Sequence, residues 1–247
     1  MTLALALLVF AAFAVEATLG FGGTVIVVSF GVLLMPLDEL LFRVIPVNVA
    51  LSTFLAARHA KFIDLRLFGL RLLPLMLLGL PLGILASRGI DGRILRGAFG
   101  VFVVLLASRE LARPKVPEET PPALPAPVAT LLLLLAGAMH GAFGAGGPVA
   151  VYVAGRRFGG DKSRFRATLS ALWLVLNLAL VATYVQRGAV HGGTLRVSAL
   201  LLPSVALGIF VGEKAHAKIP KERFATGVFA VLLVAGLVVI ARAAFAG

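Results

Sequence analysis

Apolar runs separated by short polar connections make up most of this chain. Many of them approach the roughly twenty residues that a membrane-spanning helix needs. They are rich in Leu, Ala and Val and do not alternate with polar residues, which favours helices over the strands of a membrane barrel. The pattern therefore predicts an all-α integral membrane protein.

Ten apolar segments are predicted, five in each half of the chain. In the first half they span approximately 2–19, 24–37, 41–58, 67–87 and 94–111. In the second half they span approximately 128–143, 147–156, 166–186, 196–213 and 222–243. The stretch 113–127 between the halves is polar and rich in proline, which is typical of an exposed linker. We therefore expect one transmembrane unit over 1–112 and another over 128–247.

A glycine-rich break interrupts the first apolar run of each half. The two breaks lie 124 residues apart, and their glycines are Gly20, Gly22 and Gly23 in one half and Gly144, Gly146 and Gly147 in the other. Glycine inside a helix is unfavourable, so two such breaks at corresponding places need a reason. Paired interruptions of this kind are a sequence pointer to the binding site of a transporter.

Further matches extend the repeat beyond the breaks. With an offset of 129 residues, the matched positions are Pro74 with Pro203, Gly79 with Gly208, and Gly83 with Gly212. Sequences rich in Leu and Gly also align by chance, which is the alternative interpretation. The common order of the matches favours an internal duplication.

Basic residues set the expected orientation. The net charge is +12, and the Lys and Arg residues lie mainly in the connections between apolar runs, which favours a topological role over nucleic-acid binding. Placing the connection 156–166 in the cytoplasm puts 16 of the 23 basic residues inside. The seven left outside are Arg43, Arg88, Arg93, Arg96, Arg187, Arg196 and Arg242. Both termini are then extracytoplasmic, the linker is cytoplasmic, and the two halves have inverted topology.

The second segment of each half is too short to cross about 30 Å of hydrocarbon. We therefore expect the first two segments of each half to form a hairpin or broken helix that meets at the break. A helix that starts after the break presents free N–H groups and the positive end of its dipole to an anion. Thr24 adds a hydroxyl group, and Pro148 suits a first helical position. The alternative is close helix packing through small residues.

Four polar side chains accompany the breaks. Glu16 and His140 each lie four residues before the first glycine of their break, inside apolar runs. Ionisable groups at such positions are costly and are often functional, so both are candidates for proton coupling; a structural hydrogen bond is the alternative. Asn48 and Asn177 lie in the third segment of each half, where they either contact the substrate or join helices.

Other residue types limit the possible chemistry. The chain has no cysteine, which excludes disulfides and thiolate sites, and no catalytic or nucleotide-binding motif is present. Its four histidines show no metal-ligand spacing. We therefore expect neither an enzyme nor a protein with a bound cofactor.

The chain resembles a known transporter family. GFGG at the first break, GAFGAGGP at the second, and RFRAT at 164–168 followed by an Asn are similar to motifs of the TauE/SafE sulfite-exporter family. Members often have a longer glycine run in the first half, where this chain has Thr24. The resemblance covers nearly the whole chain and implies a protein of the bacterial plasma membrane. It implies secondary transport of a small sulfur-containing or organic anion, such as sulfite, sulfoacetate or a related sulfonate.

From these observations we expect alternating access driven by an ion gradient. Two alternatives remain open at this stage. One is a passive channel for a small anion or a neutral solute, and the other is a membrane scaffold without a permeation path.

Overall fold

The computed structural model describes residues 2–89, 92–112, 124–158 and 161–245, and these residues contain helices and no strand. The first half contains α1 (Thr2–Leu19), α2 (Gly23–Gly31), α3 (Leu37–Arg58), the short α4 (Leu65–Leu67), α5 (Leu73–Gly89) and α6 (Gly92–Leu111). A 3-10 turn (Ala60–Phe62) and a π-helical turn (Phe68–Leu72) flank α4. The second half contains α7 (Ala126–Phe143), α8 (Gly147–Phe158), α9 (Lys162–Gln186), α10 (Gly192–Lys218) and α11 (Lys221–Phe245).

Within the described part of the chain, five helical stretches are long and apolar enough to cross a membrane. They are Leu37–Arg58, Leu65–Ser87, Ala126–Phe143, Lys162–Gln186 and Gly192–Lys218. Many large apolar side chains on the outer surface are exposed, as a lipid-facing surface requires; examples are Leu7, Leu78, Leu131 and Leu207. The prediction of an all-helical membrane protein is confirmed.

Several helix ends differ from the sequence prediction. The second apolar segment was expected to run to residue 37, but α2 ends at Gly31. Pro36 precedes the first turn of α3, and the acidic residues Asp38 and Glu39 lie in that turn, where they complement the helix dipole. The apolar pattern alone does not reveal the end of α2, because the residues on both sides of Gly31 are apolar. Residues 113–123 of the predicted linker lie outside the described residues.

The main helix contacts join the two halves of the chain. Helix α1 packs on α10, α5 packs on α7, α3 packs on α9, and α6 packs on α11. Helix α3 begins at one face of the molecule, near the end of α11, and ends at the opposite face, near the end of α10. Helices α2 and α8 lie between these pairs, and most of their residues are buried.

Glycines allow two of these pairs to approach closely. A Cβ at Gly79 or Gly83 on α5 would overlap the backbone of α7, at the carbonyl groups of Leu134 and Ala138. On α10, a Cβ at Gly208 would lie 3.1 Å from the carbonyl oxygen of Phe10 on α1, and one at Gly212 would lie 2.7 Å from that of Ala14. Small residues at such contacts let membrane helices pack backbone to backbone.

Candidate functional site

Helix α2 begins in the interior of the protein, directly after the first glycine break. Gly20 and Gly22 have φ values of +87° and +101°, a region that glycine adopts without strain. The chain therefore reverses between α1 and α2 and brings Glu16 beside the first turn of α2. The Glu16 carboxylate accepts hydrogen bonds from the backbone N–H groups of Gly23 and Thr24.

Glu16 is also bound by a side chain from α3. The Asn48 amide nitrogen donates to both carboxylate oxygens, at 2.9 and 3.0 Å, and lies 3.4 Å from the Thr24 hydroxyl oxygen. Glu16 is 4% exposed and Asn48 is fully buried. The start of α2, which the sequence marks as an anion site, is therefore occupied by a carboxylate of the chain itself.

A hydrogen-bonded relay continues from Asn48 into the second half. The Asn177 amide nitrogen donates to the Asn48 amide oxygen at 2.7 Å, and Ser52 donates to the same oxygen at 2.9 Å. His140 Nε2 lies 3.1 Å from the Asn177 amide oxygen. The relay thus joins Glu16 of α1 to His140 of α7 through one asparagine from each half.

The second break differs from the first in the space around it. Gly144 has a φ of +64°, and α8 begins at Gly147. A Cβ at Gly147 would be in ordinary van der Waals contact with Phe21 and Trp173, at 3.8 to 4.0 Å, so the start of α8 can accept a side-chain atom there. At Gly23, the corresponding residue of the first half, a Cβ would overlap the Glu16 carboxylate.

Trp173 joins the two breaks. Its indole Nε1 donates to the carbonyl oxygen of Gly20 at 2.8 Å, and its ring stacks on His140 with a centroid distance of 5.9 Å. Its six-membered ring is one of the groups beside Gly147. No sequence signal marks Trp173 as part of the site, because a single aromatic side chain in an apolar helix has no distinguishing pattern.

A cavity of about 240 Å³ lies beside the second break, at the end of the molecule where α3 begins. It is lined by α2 from Val25 to Val32, by Phe143 and Ala145 of the break, and by Arg242 of α11. Its walls are mainly apolar, with Arg242 as the cation and Ser29 as a polar side chain. The cavity has room for a small solute.

A cluster of charged residues lies at the opposite end of α3. Arg166 of α9 pairs with Glu213 of α10 and donates to the carbonyl oxygen of Ala17 at 2.8 Å. His59 Nε2 lies 2.8 Å from Arg166 and 3.1 Å from Glu213, and Arg58 lies 3.4 Å from Glu213. This charge cluster, consisting of Arg58, His59, Arg166 and Glu213, joins α1, α3, α9 and α10.

His59 lies just beyond the membrane-spanning stretch of α3. Burial and the positive charge of Arg166 lower the pKa of its imidazole, although Glu213 opposes this shift. The sequence analysis did not single out Glu213 or His59. Glu213 carries the same signal as Glu16, an acidic residue in an apolar helix, and could have been found by it.

The structure brings the predicted polar residues together, whereas the glycines of the two breaks differ in their surroundings. Glu16, Thr24, Asn48, Asn177 and His140 lie in one buried group. Five of the glycines either have positive φ or are closely packed; they are Gly20, Gly22, Gly23, Gly144 and Gly146. Pro148 lies in the first turn of α8 and contributes no N–H group.

The comparison with known families decides the broader classification. Residues 5–239 match the family model described as sulfite exporter TauE/SafE. This chain belongs to that family. No curated protein and no solved structure matches the chain. Membership of the TauE/SafE family makes it a protein of membrane transport, in agreement with its apolar helices.

Proposed function

We propose that the chain is a proton-coupled secondary transporter of the bacterial plasma membrane. Its substrate is a small sulfur-containing or organic anion, such as sulfite, sulfoacetate or a related sulfonate. The observation that carries this proposal is the buried relay of Glu16, Asn48, Asn177 and His140 between the starts of two broken helices. Polar and ionisable groups at such depth are costly, and in membrane proteins they mark substrate and proton pathways.

The packing of the helices supports an inverted repeat. If α1 corresponds to α7 and α5 corresponds to α10, the contact of α1 with α10 is the same contact as that of α7 with α5. Gly79 and Gly83 face carbonyl groups 134 and 138, and their counterparts Gly208 and Gly212 face those of residues 10 and 14, each 124 positions earlier. Repeats related in this way form transporters in which one unit rocks against the other around a central site.

The two ends of the molecule support alternating access. At one end of α3, the cavity reaches Phe143 and Ala145 at the second break. At the other end of α3, the charge cluster ties together helices from both halves. We propose that the cavity end is extracytoplasmic, the cluster end is cytoplasmic, and both termini lie outside, as the basic residues indicate.

Accumulation in proteoliposomes tests the proposal. Purified protein is reconstituted, a pH gradient is imposed, and uptake of labelled sulfite, sulfoacetate and methanesulfonate is followed. A coupled transporter concentrates at least one of these anions above its external level and discharges it when a protonophore is added. A channel brings the anion only to equilibrium, and a scaffold gives the uptake of empty liposomes, so either result contradicts the proposal.

A further inference from the structure

The cavity of about 240 Å³ connects one face of the molecule with the second glycine break. Its lining includes Arg242, which lies in the last turn of α11. It also includes Phe143 and Ala145, the two residues that flank Gly144 of the break. A solute in the cavity therefore lies between the face at which α11 ends and the break.

The walls of the cavity are formed mainly by one face of α2. Val25, Val28, Ser29 and Val32 follow one another at spacings that place them on the same side of that helix, and α11 adds Val239. Three valines in a row along α2 give an apolar surface. Such a surface is stabilised by contact with apolar groups and offers no hydrogen bonds to a hydrated ion.

The polar side chains of the lining differ in what they can offer to a ligand. The Ser29 hydroxyl donates its single hydrogen to the carbonyl oxygen of Val25 at 2.8 Å, so this hydrogen is not available to an anion. Arg242 carries five N–H groups in a planar fork that fits an oxyanion head group. Among the side chains of the lining, Arg242 is therefore the group that can bind an anion.

Arg242 has no partner of its own within the described part of the chain. It forms neither an ion pair nor a hydrogen bond with these residues, although it is only partly exposed. Arg43, which donates to the sulfur of Met35 in the cavity lining at 3.0 Å, is by contrast paired with Glu39. A guanidinium group that is partly removed from water and lacks an anion is a place for an anion to bind.

The acidic residues beside the cavity do not neutralise Arg242. Asp38 and Glu39 follow Leu37, a residue of the lining, and both are exposed. Glu39 pairs with Arg43 at 3.0 Å, and neither carboxylate forms an ion pair with Arg242. The positive charge at the cavity is thus left for a ligand.

We propose that this cavity is an entry site for a singly charged organic anion, whose head group binds Arg242 and whose short apolar chain packs on the valines of α2. The inference rests on the proposed transport function and narrows its substrate class to alkanesulfonates and short-chain carboxylates, in preference to inorganic sulfite. One guanidinium group compensates one negative charge, and the apolar walls offer nothing to a hydrated dianion. From this site the anion passes to the second break, where Gly147 is the predicted contact.

The size of the cavity limits the length of the ligand. A volume of about 240 Å³ corresponds to about eight water-sized groups at roughly 30 Å³ each. A sulfonate head group with a chain of about four carbons fills this space. A phospholipid, with two much longer chains, does not fit, and this favours a small solute over a lipid.

Calorimetry with a series of alkanesulfonates tests the proposal on the wild-type protein. The protein is held in nanodiscs of a zwitterionic lipid, and empty nanodiscs give the background. Affinity should rise about fourfold for each methylene group from methanesulfonate to butanesulfonate, because each group is buried against the valines, and should then level off as the cavity is filled. Equal affinities for methanesulfonate and butanesulfonate, or an increase that continues to octanesulfonate as in partition into lipid, would each overturn the proposal.

A matched pair of variants tests the head-group contact. Arg242→Gln should bind butanesulfonate about tenfold more weakly, because the charge-assisted hydrogen bonds are lost. Arg196→Gln removes an exposed charge near the start of α10, at the same end of the molecule, and should bind like the wild type. Equal affinity in Arg242→Gln and the wild type, or equal weakening in both variants, would contradict a local contact with Arg242.

A second pair tests the contact with the apolar chain. Val32→Phe places a ring in the cavity and should remove the difference in affinity between methanesulfonate and butanesulfonate. Leu33→Phe changes the neighbouring residue, which is 63% exposed and outside the lining, and should preserve that difference. A difference that survives in Val32→Phe places the chain elsewhere and overturns the proposal.

Nanodiscs that contain phosphatidylglycerol test a lipid as the alternative occupant. At a salt concentration that screens the membrane surface, binding of butanesulfonate should be unchanged, and its loss would assign the cavity to a lipid head group. The transport assay is independent of these results. If butanesulfonate binds as expected but no anion accumulates in proteoliposomes, only the transport function fails; if anions accumulate but Arg242→Gln binds butanesulfonate like the wild type, only the entry site fails.

Discussion

Gly146 and Gly147, two glycines at the start of α8, have different neighbours. This difference decides what a substitution at each of them tests. Gly146 is packed against the backbone of Ala136 and against His140 Cβ, so a side chain there disturbs the fold. Gly147 has its nearest neighbours at 3.8 to 4.0 Å. A substitution at Gly147 therefore tests the predicted anion contact at the start of α8 without overlapping the backbone of another helix.

Gly147→Val should retain the folded protein but weaken anion binding about tenfold or more, because the branched side chain fills the space in front of the N–H groups. Binding of methanesulfonate and elution in gel filtration measure the two effects. Gly155→Val is the matched control: it lies further along the same helix, where a Cβ would be 3.9 Å from the Phe165 ring. Equal loss of binding in both variants would point to a general disturbance of α8 and against the site.

His59 should make the stability of the protein depend on pH. Its pKa is lowered in the folded state, so the unfolded chain binds the proton more tightly. The neutral form therefore stabilises the fold fully above the ordinary pKa of histidine, about 6.5, and this contribution is lost as the pH falls through the lowered value. Thermal unfolding in detergent should show a lower midpoint at pH 5 than at pH 7.

His59→Gln should reduce this pH dependence, because its amide can accept from Arg166 and donate to Glu213 without titrating. His191→Gln, at an exposed site, should leave the pH dependence as it is in the wild type. If the unfolding midpoint changes equally with pH in the wild type and in both variants, a group other than His59 is responsible for the pH dependence.

Helices of the two halves meet at glycines. The closeness of each contact predicts how strongly a substitution of that glycine changes the stability of the protein. On α5, a Cβ at Gly83 would overlap the carbonyl group of Ala138, which is backbone and cannot rotate away. On α11, a Cβ at Gly227 would meet nothing within 4 Å. The same substitution at these two positions therefore separates helix packing from helix propensity.

Gly83→Ala should lower the free energy of unfolding by about 1–3 kcal/mol, the usual cost of overpacking, or prevent folding. Gly227→Ala should be neutral or stabilise by up to about 1 kcal/mol, because alanine is the better helix former. Unfolding midpoints in detergent measure both. If the two variants are equally stable, α5 and α7 do not pack as closely as described.

Across the whole molecule, the basic residues are expected to fix the orientation in the membrane. Because 16 of the 23 basic residues lie in connections assigned to the cytoplasm, the residues around Pro121 should lie there too. A single cysteine placed at Pro121 has no native cysteine to compete with it. In intact cells, it should react with a thiol reagent only when that reagent crosses the membrane, and labelling by an impermeant reagent would show that the orientation is reversed. A cysteine at His191, in a connection assigned to the outside, is the matching control and should react with the impermeant reagent.

The sequence by itself determined the helical class, the membrane location and the residues that gather at the centre. Apolar runs can satisfy their backbone in lipid only as helices, and an ionisable side chain such as Glu16 or His140 in such a run stands out because of its cost. The family was also visible in the short glycine motifs. Helix ends in apolar surroundings, such as the end of α2 at Gly31, were not visible in the sequence, since the residues on both sides of such a boundary are apolar.

Only the tertiary structure decided which partners these residues have. Equal spacing made the two breaks look alike, yet Glu16 occupies the start of α2, while Gly147 at the start of α8 has Phe21 and Trp173 beside it. The joining of Asn48 to Asn177, and of Arg166 to Glu213 and His59, depends on helices far apart in the chain. Side-chain partners across such distances are set by helix packing, which local sequence patterns do not encode.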